Sequence, residues 1–267
     1  MTIEQSVIKH YGREGMADMI LSQARQKADD PARLSTGDLA AFDDMHIGGR
    51  KATEYLLSRL NLSSGTSVLD VGCGIGGPAR YVVENYGAVV TGIDLTPEYK
   101  VVGEALNEAV GLMDGNPAFV SGSALAMPFD VDSFDAAYLI HAGMNIQDKQ
   151  TLYNEIYRVL KPGGVFGLYD IMAGQDVERL HFPVPWADTQ DTSFLLTPRE
   201  VEALLGQTGF TIVETESRRD FGRAALEKLL AQGAFRIRDD NFKPKARHLL
   251  PNIEQGYCSP WQMTCRE

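Results

Sequence analysis

The chain has 267 residues, 44% of them hydrophobic, which is enough for one large domain with an appendage. Its net charge of −11 repels phosphate backbones and anionic membranes, so nucleic acid is not an expected partner. The three cysteines, Cys73, Cys258 and Cys265, lack C-x-x-C spacing, which argues against a disulfide framework or a structural metal.

No apolar run approaches the roughly 18 residues of a membrane span. The opening "MTIEQSVIKHYG" lacks the basic-then-apolar pattern of a signal peptide, so a cytoplasmic location is expected. Nothing in the sequence indicates a homo-oligomer.

Residues 1–60 read as a helical cap. "GMADMILSQARQKA" and "GRKATEYLLSRL" carry apolar residues at helical spacing, and "NLSSG" breaks the second run. From Thr66 the texture changes. "SVLDV", "AVVTGID", "AFVS", "DAAYLI" and "GGVFGLYD" are short apolar runs without polar alternation, as expected of parallel strands covered on both faces. Helices are predicted to begin near Gly76, Pro97, Asp148 and Pro198. In Thr96-Pro97 and Thr197-Pro198, a capping hydroxyl precedes a first-turn proline. This alternation predicts a doubly wound α/β sheet.

Residues 172–196 include "HFPVPWADTQDTSFLL", a stretch too long for a plain connection and expected to form a lid or pocket wall. "FTIVETES" reads as a strand. A partly helical insertion spans about 217–250, where "RIRDDNFKPKAR" reads as a solvated face, and "SPWQMTCRE" reads as a last strand.

"VLDVGCGIGGPARYV", residues 68–82, contains G-x-G-x-x-G at Gly72, Gly74 and Gly77. Alone it is a dinucleotide fingerprint, whose pyrophosphate rests on a helix N-terminus. Asp70, two residues before Gly72, would repel that phosphate. It suits a ligand with an ammonium and a sulfonium, such as S-adenosylmethionine. Asp94 closes the second strand twenty residues after Gly74, where a carboxylate can accept both ribose hydroxyls, with Leu95 beside it. The alternative for Asp94 is a helix cap. Ser123 and Ala124 open "GSALAMPFDVDSFD" after the third strand, where adenine would lie in such a fold; the alternative is an ordinary turn.

With these elements in order, the chain resembles the class I S-adenosylmethionine-dependent methyltransferases over roughly residues 60–216. "VLDVGCGIGG" is similar to their first motif, "GID" to their second-strand acid, and "VLKPGGVFGLYD" to their fifth-strand hairpin. The resemblance implies a Rossmann-like, seven-stranded doubly wound sheet whose last strand is antiparallel. It also implies a methyltransferase domain over 61–267 behind the N-terminal cap.

Within that superfamily, "DDMHIGG", "GGPARYV" and "MNIQDK" resemble the small-molecule branch of sarcosine/dimethylglycine and ubiquinone- or tocopherol-type methyltransferases. The adenine loop departs from the pattern, with Ser123 where aspartate is common. The acceptor expected first is a small amine, with a small thiol, a phenol or a quinol as alternatives. The rival classes are a dinucleotide-dependent oxidoreductase and an S-adenosylmethionine-binding protein without turnover.

Methyl transfer is an in-line displacement that needs alignment and exclusion of water, and proximity alone can supply ~7–11 kcal/mol. A base helps where the acceptor must lose a proton. His141, at the end of "AAYLIH", is the candidate base or a pocket contact, with Met144 and Asn145 on the same wall. His46 is a candidate to close over the methionine part of the cofactor. Tyr11 is a candidate cation–π partner, with helix packing as the alternative. His181 and Trp186 are candidate acceptor contacts. Cys73 reads as a small filler, and Trp261 and Cys265 read as core.

Overall fold

The computed structural model describes residues 2–11, 15–112, 114–232 and 242–267. The first half of the charged run 236–247 lies outside them.

Four helices precede the sheet: α1 (Ile3–Tyr11), α2 (Met16–Arg25), α3 (Thr36–Asp43) and α4 (Arg50–Leu57). Ser35 starts α3 with a capping box. Its hydroxyl accepts the Asp38 amide hydrogen, and the Asp38 carboxylate accepts the Ser35 N–H. α1 differs from the others in having no buried residue. In α4, Leu56 and Leu57 are fully buried against the sheet.

The remaining elements alternate: β1 (Ser67–Val71), α5 (Gly77–Tyr86), β2 (Val89–Asp94), α6 (Pro97–Ala109), β3 (Ala118–Ser121), β4 (Phe134–Ile140), α7 (Lys149–Val159), β5 (Leu160–Ala173), α8 (Pro198–Thr208), β6 (Thr211–Ser217), α9 (Arg219–Gln232), α10 (Phe242–Glu254) and β7 (Cys258–Arg266). The strands form one sheet in the order β3-β2-β1-β4-β5-β7-β6. β7 lies antiparallel between β5 and β6, while β1 to β5 pair parallel. This is the Rossmann-like seven-stranded sheet that the resemblance implied. β5 runs past Asp170 to Ala173 because β7 pairs with it from Val165↔Arg266 to Ala173↔Cys258.

The central strands lack polar alternation because both faces are covered. Leu69, Val71, Ala137 and Leu139 face one core with Leu152 and Ile156 of α7. Val68, Val90 and Tyr138 face the other, with Ala79 and Val82 of α5. Strand order reverses between β1 and β4, and ligands in such sheets bind in the crevice at the carboxyl ends there.

The two Thr-Pro starts behave differently. Thr197 forms the predicted cap, with Glu200 completing a capping box. Thr96 makes no side-chain cap; its N–H donates to the Asp94 carboxylate at 2.8 Å and its hydroxyl bonds the same carboxylate. Trp261 is half-buried, whereas Cys265 is fully buried, and Cys73 is buried inside the glycine turn.

Candidate functional site

The crevice opens into a cavity of about 1360 Å³. Its floor is the turn between β1 and α5. Gly72 has φ 72°, and a Cβ there would collide with that of Ala142, so the turns after β1 and β4 touch. This contact brings the ends of Asp70 and His141 to one place.

Gly77, the third glycine of the motif, has a different job. A Cβ on it would lie 2.5 Å from the Asp43 carbonyl oxygen. The end of α3 therefore sits over the first turn of α5. The Asp43 carboxylate accepts from Arg80 Nη2 at 2.9 Å, and Arg80 is completely buried. A pyrophosphate seeking that helix N-terminus would meet the backbone and carboxylate of Asp43. The Asp43 carbonyl and its Arg80-paired carboxylate thus oppose the dinucleotide reading.

Asp94 stands at the end of β2. Its Oδ2 accepts the Gly74 N–H at 2.9 Å and its Oδ1 accepts the Thr96 N–H. The Thr96 hydroxyl and the Leu95 N–H also bond this carboxylate. Burial raises its pKa, against the pull of the Thr96 and Gly74 N–H groups. Asp70 is fully buried, and its Oδ2 accepts the Tyr138 hydroxyl at 2.9 Å. Burial pushes its carboxyl up to about 8, and the neighbouring Asp94 pushes the same way.

His141 follows β4 with a left-handed backbone, φ 51°, uncommon for a residue with a Cβ. Its N–H donates to the Tyr169 carbonyl at 2.8 Å. The His141 ring lies 4.8 Å from the Tyr169 ring and 5.8 Å from the His46 ring, centroid to centroid. Tyr169 donates its hydroxyl to Ile47 O at 3.1 Å. His46 Nε2 lies 3.1 Å from Gly49 O and 3.0 Å from the Thr53 hydroxyl.

Asn145, in the turn after His141, joins three segments. Its Oδ1 accepts the Tyr11 hydroxyl at 3.0 Å, and its Nδ2 donates to Trp186 O at 2.7 Å and Thr192 O at 3.0 Å. Behind the same turn lie Lys149 and Asp170. The Lys149 ammonium donates to the carbonyls of Gly143, Ile146 and Phe194. Burial pulls Lys149 down to about 8 and pushes Asp170 up to about 7.

The cavity wall thus gathers Asp70, Gly72, Gly74, Asp94, Leu95, Ser123, Ala124, His46 and His141, together with Tyr11, Met144 and Trp186. His181 is a correction. It is exposed and does not line the cavity; its backbone exchanges two hydrogen bonds with the Asn252 side chain and its ring faces Tyr257. The same loop aims Trp186 inward, with Nε1 donating to Ser193 Oγ at 2.9 Å.

Sequence reasoning missed Tyr169, Arg80 and Glu4. Tyr169 sits in an apolar run, Arg80 reads as a surface charge on a helix, and Glu4 lies in a segment read only for its helical character. No helix among the described residues is long and apolar enough to cross a membrane, and those residues hold no cluster of metal-ligating side chains.

Residues 69–168 match the family model described as "Methyltransferase domain". The chain is 44% identical over 131 residues to a sterol 24-C-methyltransferase of Gibberella zeae, covering 47% of this chain and 34% of that protein. It spans about a third of the length of that relative. The relative is of the sterol type, not the sarcosine or ubiquinone type expected from "DDMHIGG" and "MNIQDK".

Among solved structures, geranyl diphosphate C-methyltransferase of Streptomyces coelicolor A3(2) superposes with a TM-score of 0.75 at 15% identity, covering 100% of this chain and 98% of that one. A Galdieria sulphuraria protein, provisionally described as a sarcosine dimethylglycine methyltransferase, gives 0.71 at 22% identity, over 84% and 93%. At such identities these two likenesses speak for the fold. Residues 69–168 thus match a methyltransferase domain, and the seven-stranded sheet around them has the fold of these solved methyltransferases.

Proposed function

We propose that the protein transfers a methyl group from S-adenosylmethionine to carbon on a large apolar acceptor of the sterol or isoprenoid kind. The observation that carries this reading is the wall beyond the glycine turn. Met144, Ile171, Trp186, Phe221, Leu226 and Leu249 line it, supplied by the turn after β4, β5, the 172–196 loop, α9 and α10. A cavity of about 1360 Å³ exceeds the ~300–1,000 Å³ usual for one small ligand, so donor and bulky acceptor fit together. Apolar surface buried there stabilises by roughly 25 cal/mol per Å². A small amine would leave most of this wall uncontacted, and the amine expectation yields for that reason. The names of the sterol and geranyl diphosphate C-methyltransferases point the same way.

Incubation with methyl-labelled cofactor and a panel of unsaturated sterols, prenyl alcohols, dimethylglycine, thiols and phenols, read by mass spectrometry, tests it. Label in a sterol or prenyl product is expected. Label in dimethylglycine alone would restore the amine reading. Cofactor binding without turnover of any acceptor would favour a binding protein.

When bound, the cofactor supplies a methyl group activated by the positive charge of its sulfonium. Asp94 is assigned to its ribose hydroxyls. Asp94→Ala is expected to weaken S-adenosylhomocysteine binding more than tenfold, since charged hydrogen bonds contribute ~1.5–3 kcal/mol each. Calorimetry giving unchanged affinity would move the ribose elsewhere.

Asp70 is assigned to the amino-acid end of the cofactor. With its carboxyl near 8 it holds a proton at pH 7, whereas an incoming ammonium favours the ionised form. Binding at pH 7 should therefore release a proton, and affinity should rise as pH climbs toward 8. Stability moves the other way. The unfolded carboxyl ionises near ~3.9, so the folded state binds the extra proton between there and about 8. Stability contributed by the neutral, buried form falls as pH rises through that window. Asp70→Asn should lose both dependences: weaker binding, and a ligand-free melting temperature that gains on the wild type from pH 5 to pH 8. Melting curves that stay parallel across that range would contradict the assignment.

A further inference from the structure

We propose that Glu4 is part of the adenine end of the cofactor site, so that α1 forms its fourth wall. The inference rests on the S-adenosylmethionine reading and adds to it a residue from outside the sheet. Ser123 Oγ donates to Glu4 Oε1 at 2.6 Å, and the Leu125 N–H donates to Ser123 Oγ at 3.2 Å. The hydroxyl hydrogen is thus committed to the carboxylate, and one lone pair of its oxygen to the loop amide. Adenine presents an exocyclic amino group, a donor that needs an acceptor. A carboxylate offers about four acceptor positions, of which Ser123 takes one. Glu4, Ser123, Ala124 and Leu125 line the cavity together.

The helix that carries Glu4 is built for this task. Ile3, Val7 and Tyr11 recur every four residues on one face and line the cavity, yet no residue of α1 is buried. A nine-residue helix is marginal alone and needs its apolar face covered. The nucleoside is the occupant that covers it, because Glu4 ties the start of α1 to the loop after β3 where adenine is assigned. Glu4 holds Ser123 at one end; Tyr11 donates to Asn145 and His10 Nε2 lies 3.2 Å from Pro185 O at the other. Adenine recognition and docking of α1 over the crevice become one event.

The test uses titration calorimetry of wild type, Glu4→Gln, Glu4→Ala and Ser123→Ala with S-adenosylhomocysteine and with S-inosylhomocysteine, which carries a carbonyl in place of the amino group. Glu4 is exposed, so the Glu4 variants are expected to keep the wild-type melting temperature. The wild type should prefer the adenine ligand at least tenfold, because a site built to bond an N–H rejects the analogue lacking it. Glu4→Ala should lose about tenfold in affinity for S-adenosylhomocysteine and most of the preference. Glu4→Gln, whose amide can turn its N–H toward the carbonyl, should narrow or invert the preference. A latch that only closes the helix would weaken both ligands equally. An unchanged preference ratio, or unchanged affinity in Glu4→Ala, overturns the proposal while leaving the cofactor reading intact. A wild type that binds neither ligand removes both.

Discussion

Arg80→Leu is expected to destabilise the protein by about 3–5 kcal/mol, the effect of removing one partner of a buried ion pair. The guanidinium is completely shielded from solvent. It donates to Asp43, to the carbonyls of Ile75 and Gly103, and to Asn107 Oδ1. One side chain thus ties α3, the glycine turn and α6. Without it, Asp43 keeps only Arg50 Nη2 at 4.0 Å as a cationic neighbour. Burial already raises the Asp43 pKa, and Arg80 is the largest influence holding it down. The variant should therefore recover part of its loss on acidification, as Asp43 takes up a proton, and the added change Asp43→Asn should recover part of it at neutral pH. For a chain this size each kcal/mol moves the melting temperature by roughly 2–4 °C, so a drop on the order of 6–20 °C is expected. A urea-unfolding difference below about 1 kcal/mol would mean the cluster is far better solvated than its burial implies.

The same cluster marks where sequence reasoning stops. The five parallel strands were legible because helices on both faces leave apolar runs without polar alternation, whereas the antiparallel last strand came from the family resemblance, and the switch-point crevice follows from the strand order. The glycines were located, but not their purpose. G-x-G-x-x-G is one spacing for two tasks, and only the approach of Asp43 to Gly77 shows that this helix N-terminus is closed by the protein itself. That contact joins residues 34 apart, which no periodicity encodes. Thr96 and Thr197 share a sequence signal, yet the Thr96 hydroxyl turns to Asp94 instead of capping its helix. Trp186 and His181 stood equal in one aromatic loop. Its path turns one into the cavity and the other onto Tyr257. The expected small-amine acceptor came from likeness around "DDMHIGG". The apolar wall that counts against it comes largely from β5, α9 and α10, of which the helices had been read only as an insertion.

His141→Ala is expected to lower turnover of the best acceptor by about 10²–10⁴-fold, the range for loss of a general base, while S-adenosylhomocysteine affinity shifts less than about threefold. The separation follows from where His141 stands. Asp94 and Asp70 hold the assigned cofactor contacts at β2 and β1, whereas His141 follows β4 beside the rings of His46 and Tyr169. Methylation of a carbon–carbon double bond uses its π electrons to form the new C–C bond. It leaves positive charge on the neighbouring carbon, and the product forms when a C–H beside it gives up its proton. We propose that the His141 imidazole on the cavity wall takes it. An amine acceptor attacks with its lone pair, and for a tertiary amine such as dimethylglycine no base is needed, so the size of the effect also reports the acceptor class. The backbone supplies a control. A left-handed φ at a residue with a Cβ stores about 1–3 kcal/mol, and glycine relieves it. His141→Gly should thus unfold at a higher temperature than His141→Ala yet be equally slow. Asparagine, which tolerates that conformation, should hold the turn and still lose the rate. Equal rates for wild type and all three variants would reduce His141 to a wall contact, and the proton would have to leave by another route.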